Sequence, residues 1–362
     1  MPADLGVGCG YQVGYPNVTA SHLLLVPLPM PGMETTGPEP QTTAPARRGL
    51  LSGWPGIVLR LVATVLLMAY ALRGITWGTF AALLANADWR WWIAGLATGI
   101  AVQIVAGVRW AALARPLGFP FSRRFFVWRF LEGSFFSLCL PSSIGGDVIK
   151  AYRVGDTTQR RLLAGCSVLA DRLTGLAALG VLAVTALAGT KYALSLPATL
   201  AVGAALIALM LAVFMLGVAS IDRLLAIIPA PHPAREFIAR LLPYQQRPSL
   251  MAHAVGWSFI VQIGGAMAVG LMARSLGVAQ PLATWFAVVP LVALAVVLPI
   301  SINGVGVREN ALAVLLAPHG VAAESAVAVG LIWLASQIVT GLIGGGLFLI
   351  DRQAAMPDAG RR

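Results

Sequence analysis

Two stretches decide the fold: LPSSIGGDVIKAY, from Leu140 to Tyr152, and LPISINGVGVRE, from Leu298 to Glu309. Each cuts into an apolar run with Pro, Ser and Gly, and each then supplies a cation and a carboxylate. Proline ends a helix and glycine permits a reversal, so both read as places where a helix breaks and a second one starts. A shift of 158 residues carries Pro141 onto Pro299. The same shift pairs Ser143 with Ser301, Ile144 with Ile302, Gly146 with Gly304 and Lys150 with Arg308. The chain therefore reads as a repeat with one broken helix per half.

The runs around these stretches fix the class. Of 362 residues, 58% are hydrophobic and only 11% charged, against about 25% charged in a soluble domain. Mean hydropathy is +0.82. Apolar segments run from about Trp54 to Leu72, Trp91 to Val108, Phe125 to Leu140, Leu162 to Gly189, Leu194 to Val218, Leu250 to Ala273, Leu282 to Leu298 and Ala326 to Ile350. Several approach or exceed the roughly 18 apolar residues that span a bilayer. The fold class is all-α, polytopic in the membrane. The net charge of +11 is nearly all arginine, Lys150 and Lys191 being the only lysines. These cations lie between apolar runs, so they read as topology signals and contacts with anionic lipid; nucleic acid is not expected as a partner. Cys9, Cys139 and Cys166 are too scattered for a disulfide framework or zinc site, and the four histidines show no ligand spacing. No cofactor or metal is expected.

Charge placement orders the spans. Arg47 and Arg48 put the N-terminus in the cytoplasm by the positive-inside rule, and the basic stretch Arg109, Arg115, Arg123 and Arg124 belongs there too. Arg153, Arg160 and Arg161 return to the cytoplasm only if the third segment turns back at LPSSIGGD. The expectation is about six full spans plus two re-entrant hairpins, in inverted halves of about 54–190 and 194–351 within a membrane domain of 51–352. Both termini are expected in the cytoplasm, at a bacterial cytoplasmic membrane. Residues 1–50, rich in Pro, Thr and Gly, read as a disordered tail, with translation expected to start at Met30 or Met33. Residues 353–362 read as a short cytoplasmic tail.

A backbone turn inside the membrane must be enclosed by protein or a watery cavity, and a helix starting there directs N–H donors at anions. The expected substrate site is Ser143, Gly145, Gly146, Asp147 and Lys150 from one hairpin with Ser301, Asn303, Gly304, Arg308 and Glu309 from the other. Ser142, Ser143 and Ser301 can satisfy freed backbone groups. Asp147 and Glu309 could cap their helices, pair with Lys150 and Arg308, or receive a cationic group. Glu132, Arg153, Asp171 and Arg172 read as supporting residues; Asp171 and Arg172 either hold the first hairpin or touch substrate. Arg129 and Glu132, three apart, can pair. Gln103 and Gln262 correspond within one residue under the same shift. Gly95/Gly99 and Gly341/Gly345 have the spacing of close helix packing. The expected ligand is a membrane lipid with an anionic or amino-modified head group.

PSSIGGDVIKAYRV, ADRLTGL and LPISINGVGVREN, in this order, resemble the transmembrane region of lysylphosphatidylglycerol synthetases, over about Arg60 to Arg352. Lys150 departs from the arginine more usual there, which removes a bidentate fork. In that family the region is held to flip the aminoacylated lipid, while a separate soluble domain makes it. The resemblance implies a flippase-like module without the synthase. Two other functions remain open: a non-catalytic membrane subunit partnering lipid- or glycan-biosynthesis enzymes, and a lipid-modifying enzyme, for which no recognisable catalytic motif is present.

Overall fold

A computed structural model describes residues 54–140, 145–189, 220–227, 233–298 and 300–354. Among these every regular element is helical: α1 (Trp54–Leu72), α2 (Trp77–Ala85), α3 (Trp89–Ala114), α4 (Arg123–Cys139), α5 (Gly145–Val154), α6 (Thr158–Gly189), α7 (Ile221–Ile227), α8 (Pro233–Ala239), α9 (Leu242–Gln246), α10 (Pro248–Ser275), α11 (Leu282–Val297), α12 (Val307–Leu316) and α13 (Ala323–Ala354). Seven of the eight expected apolar segments are helices with nearly the expected bounds. The expected segment Leu194–Val218, the N-terminal tail and most of the C-terminal tail lie outside the described residues.

The boundaries follow local chemistry. Asp88 opens α3 by accepting from the Arg90 N–H at 3.0 Å, and Ser122 opens α4 by accepting from Phe125 at 3.2 Å; both satisfy donors that a helix start leaves free. Four described helices are long and apolar enough to cross a membrane: α3 with its terminal turn, α6, α10 and α13. The bent pair α1 and α2, at 92°, qualifies as a fifth. Helix α2 was not foreseen: the apolar runs predict no helix between Leu72 and Trp91. α4 and α11, at 17 and 16 residues, reach only about 25 Å, short of a ~30 Å hydrocarbon core.

The chain contains two series of matching elements. α3, α4, α5 and α6 measure 26, 17, 10 and 32 residues; α10, α11, α12 and α13 measure 28, 16, 10 and 32. Their packing is reciprocal: α3 lies on α10, α4 on α13 and α11 on α6. The 158-residue shift holds closely for the first two elements of each series. It widens after the break, because a 3₁₀ turn at Ile302–Gly304 precedes α12.

Hydrogen bonds locate the helix ends. At one end the Tyr244 hydroxyl donates to the Leu113 carbonyl at 2.9 Å, and Arg160 donates to the Gly118 carbonyl at 3.3 Å. Exposed Arg115, Arg123, Arg124, Arg240 and Arg247 flank these contacts in the chain, so this is the basic end. At the opposite end Asp88 N–H donates to the Ser275 carbonyl at 2.9 Å, and Gln280 donates to the His319 carbonyl at 3.2 Å. α3 and α10 are therefore antiparallel. α4 and α5 form a hairpin. Along α5, Gly146 lies against Gly133 and Ser137, and Lys150 against Gly133 and Phe130, so the chain runs back along α4. Gly146 is forced at this crossing, because a Cβ there would collide with the Gly133 carbonyl and the Ser137 hydroxyl. α11 and α12 form the second hairpin, closed at its base by the Gln280–His319 bond.

Two apolar cores hold the series. One packs Trp110, Leu113, Phe126 and Leu163 with Tyr244; the other packs Trp285, Val288, Leu312 and Leu316 with Phe80 of α2. Tyr244 lies outside the spanning helices, and its burial pushes the phenol well above its ordinary range.

Candidate functional site

Between the series lies a cavity of about 470 Å³. α3 contributes Gln103, α4 contributes Ser134 and Ser137, and α10 contributes Gln262. Lys150 of α5 and Arg172 of α6 face it from the first series. Asn303, in the turn before α12, and Trp333 and Gln337 of α13 face it from the second. The Gln103 amide lies 3.5 Å from the Ser134 hydroxyl, and Gln262 donates to the Gly175 carbonyl at 3.2 Å.

The first hairpin places its charges as one group. Lys150 is buried; its ammonium stands 3.2 Å from Asp147 and 3.8 Å from the centre of the Phe130 ring. Gly133 leaves room for its stem, since a Cβ there would fall 2.8 Å from Lys150 Cγ. Asp147 also accepts from Arg172, so one carboxylate serves two cations. Arg172 thus ties α6 to the hairpin, one of the two alternatives expected for it, and lines the cavity. Asp171 does not touch the hairpin. It forms a bidentate pair with Arg109, at 2.7 and 3.0 Å, and Arg109 also donates to Ser258 at 2.8 Å. Arg109 is therefore no loop cation, as the charge pattern had it, but a buried bolt joining α3, α6 and α10.

The second hairpin is built differently. Asn303 takes the left-handed conformation at φ 53°, which asparagine tolerates better than most residues. Gly306, at φ +82°, lies so close to α1 that a Cβ would fall 2.6 Å from Leu67 Cβ. α1 also satisfies the broken backbone: Thr64 Oγ1 accepts from Ile302 N–H at 2.9 Å, and Asn310 donates to the Leu67 carbonyl at 2.7 Å. Ser301, expected to do this, has a buried hydroxyl without a partner among the described residues, and Ser142 and Ser143 lie outside them. Glu309 accepts from Gly306 N–H at 2.6 Å, capping α12 with its own side chain, so this helix end does not stand open to an anion. Gly304 is buried beside Val296, and Gly145 opens α5 against Leu140.

Arg308 is almost fully buried, at 1% exposure. It donates to the Gln337 side chain at 2.9 Å and the Asn303 carbonyl at 3.1 Å, and its guanidinium lies 5.0 Å from the Trp333 ring centre. All three partners line the cavity, so Arg308 sits directly behind its wall. It forms no ion pair with Glu309 among the described residues, and its Nε and Nη1 have no acceptor.

A further charged cluster stands toward the basic end. Arg129 pairs with Glu132 at 2.6 Å and with Asp351 at 3.1 Å; Arg153 lies 3.4 Å from Glu132 and bonds to Asp351. Glu132 and Arg153 thus lock the base of the first hairpin to α13. Asp351 was missed, because at the end of an apolar run it reads as an ordinary loop charge.

The family described as "Lysylphosphatidylglycerol synthase TM region" matches residues 57–345. The chain belongs to this family. No curated protein and no solved structure matches it. As a member of the lysylphosphatidylglycerol synthase transmembrane-region family it is a membrane protein, in keeping with its apolar helices. The matched range spans both hairpins and every cavity-lining residue. The small residues Gly95, Gly341 and Gly345 serve close packing, against Met272, Leu138 and Phe135 respectively, whereas Gly99 opens onto the cavity.

Proposed function

We propose that this chain is a lipid transporter of the flippase type, which carries a polar head group through the central cavity while the tails stay in the bilayer. The observation that carries this reading is the cavity itself. Its wall is largely apolar but carries two cations, Lys150 and Arg172, with several amides and hydroxyls, and it lies between two reciprocally packed helix series, with a broken helix beside it from each. Polar and charged groups inside spans are costly and mark substrate routes, and broken helices meeting between repeats are a transporter arrangement.

The two series are read as inverted halves. α3 runs toward the basic end and α10 away from it; the first hairpin has its base at the basic end and the second at the opposite end. The basic end then faces the cytoplasm, by the positive-inside rule. Rocking of one half on the other, about the α3–α10 contact, would expose the cavity to each leaflet in turn. The Glu132–Asp351 network ties the first hairpin to α13 at the basic end, and in this reading it parts when the cavity opens to the cytoplasm.

The test is reconstitution in liposomes with head-group-labelled phospholipids and an external quencher. Faster inversion than in protein-free liposomes, abolished by Lys150→Gln, is expected. Folded protein that inverts no lipid, yet co-purifies with a lipid or glycan synthase, would replace transport by the subunit reading.

A further inference from the structure

The charges around the cavity do not cancel. Lys150 and Arg172 face it, and among the described residues both form their ion pair with the same carboxylate, Asp147. Arg308 stands behind the wall with two N–H-bearing nitrogens lacking an acceptor among the described residues. Its neighbour Glu309 has one oxygen committed to the Gly306 N–H, and the other is buried near Gly330 without a partner. Among the described residues no carboxylate lines the cavity. Among the described residues these three cations and two carboxylates leave one positive charge over, and two of the cations, Lys150 and Arg308, are buried, where an uncompensated charge is expensive.

We propose that the cavity takes a singly anionic phosphodiester head group that carries no ammonium. This rests on reading the cavity as a lipid head-group site, and it narrows that reading to one charge class. A phosphodiester brings the missing negative charge, and its oxygens can accept from Lys150 and Arg172, which already face the space. The guanidinium of Arg308 adds attraction from behind Asn303 and Gln337. The amides of Gln103, Gln262 and Gln337 and the hydroxyls of Ser134 and Ser137 suit the hydroxyls of a glycerol or sugar. An aminoacylated lipid, such as the one in the family's name, would instead bring ammonium groups beside Lys150 and Arg172, with no facing carboxylate to receive them. The same chemistry fits a glycerophospholipid or a polyprenyl phosphosugar, so both enter the test.

The purified full chain in neutral detergent would be loaded with tail-labelled phosphatidylglycerol. Displacement would be measured with unlabelled phosphatidylglycerol, phosphatidylcholine, lysylphosphatidylglycerol and a polyprenyl phosphosugar. Phosphatidylglycerol or the phosphosugar should displace the probe at concentrations at least about tenfold below lysylphosphatidylglycerol, the ratio that about one net charge interaction yields; whichever is stronger names the source. Arg308→Gln should erase most of that ratio, and Arg308→Lys should keep it. Equal or stronger displacement by lysylphosphatidylglycerol overturns the proposal, as does an unchanged ratio in folded Arg308→Gln or failure of the probe to bind. If Arg308→Gln does not fold, the wild-type ratio alone decides. Binding is read without inversion, so the two readings fail separately. Preference for the anion without inversion would refute transport only; inversion without that preference would refute this proposal only.

Discussion

Asp171→Leu is the substitution whose outcome the structure constrains most sharply. Asp171 and Arg109 are 8% and 6% exposed in their side chains and meet in a bidentate pair at 2.7 and 3.0 Å. At that burial the small value of a surface ion pair, about 0–1 kcal/mol, does not apply. Removing one partner strands the other charge in an apolar interior, which costs about 3–5 kcal/mol. Arg109→Met should cost about the same, because it strands Asp171. The double variant Arg109→Met/Asp171→Leu strands neither charge. Ser258, released from Arg109, still donates to the Ala254 carbonyl at 2.8 Å, so no new orphan donor appears. The double variant should therefore fall within about 1–2 kcal/mol of wild type, since replacing a whole buried pair by apolar groups is often near neutral. The assay is a double-mutant cycle on equilibrium unfolding in micelles, followed by tryptophan fluorescence, with lipid inversion measured on each folded variant. Penalties that simply add would refute the argument. So would a stable double variant that has lost inversion, because Asp171 would then act on substrate and not only as a bolt.

Other consequences can be checked in parallel. Gly146→Ala should sharply lower the yield of folded protein, because its Cβ would collide with the Gly133 carbonyl; Gly165→Ala, with open space around it, should be near neutral, and equal yields by size-exclusion chromatography would contradict the α4–α5 contact. Tyr244→Phe should cost about 1 kcal/mol in unfolding experiments, the net worth of a typical buried hydrogen bond, and no loss would mean that the Leu113 carbonyl finds another donor. In a background lacking Cys9, a bulky charged thiol reagent added from outside should modify Arg90→Cys but spare Cys139; fast modification of Cys139 would mean that α4 crosses completely.

Much of this molecule is written in its local sequence. Apolar run length alone set α1 to the residue and α3, α6, α10 and α13 to within about six residues at either end, because a bilayer-spanning helix declares itself through hydrophobicity that no tertiary contact has to supply. The Pro/Gly stretches at 140–152 and 298–309 marked both breaks, and the Arg129–Glu132 pair followed from i,i+3 spacing. The family was legible in the same motifs, and the match over residues 57–345 bears it out.

Partnerships between distant segments were decided only by the tertiary structure. Nothing in the sequence says that Asp171 meets Arg109, 62 positions away, rather than the hairpin beside it, or that Asp351 closes on Arg129 and Arg153. Nor does a motif reveal that Glu309 caps its own helix while Arg308, one residue earlier, bonds to Gln337 and forms no ion pair among the described residues. Hydrophobicity and backbone breaks are properties of a residue and its near neighbours, so they survive in a linear reading. Charge compensation in a low-dielectric interior depends on which groups the packed helices bring within about 4 Å. Only the folded arrangement leaves one positive charge beside the cavity.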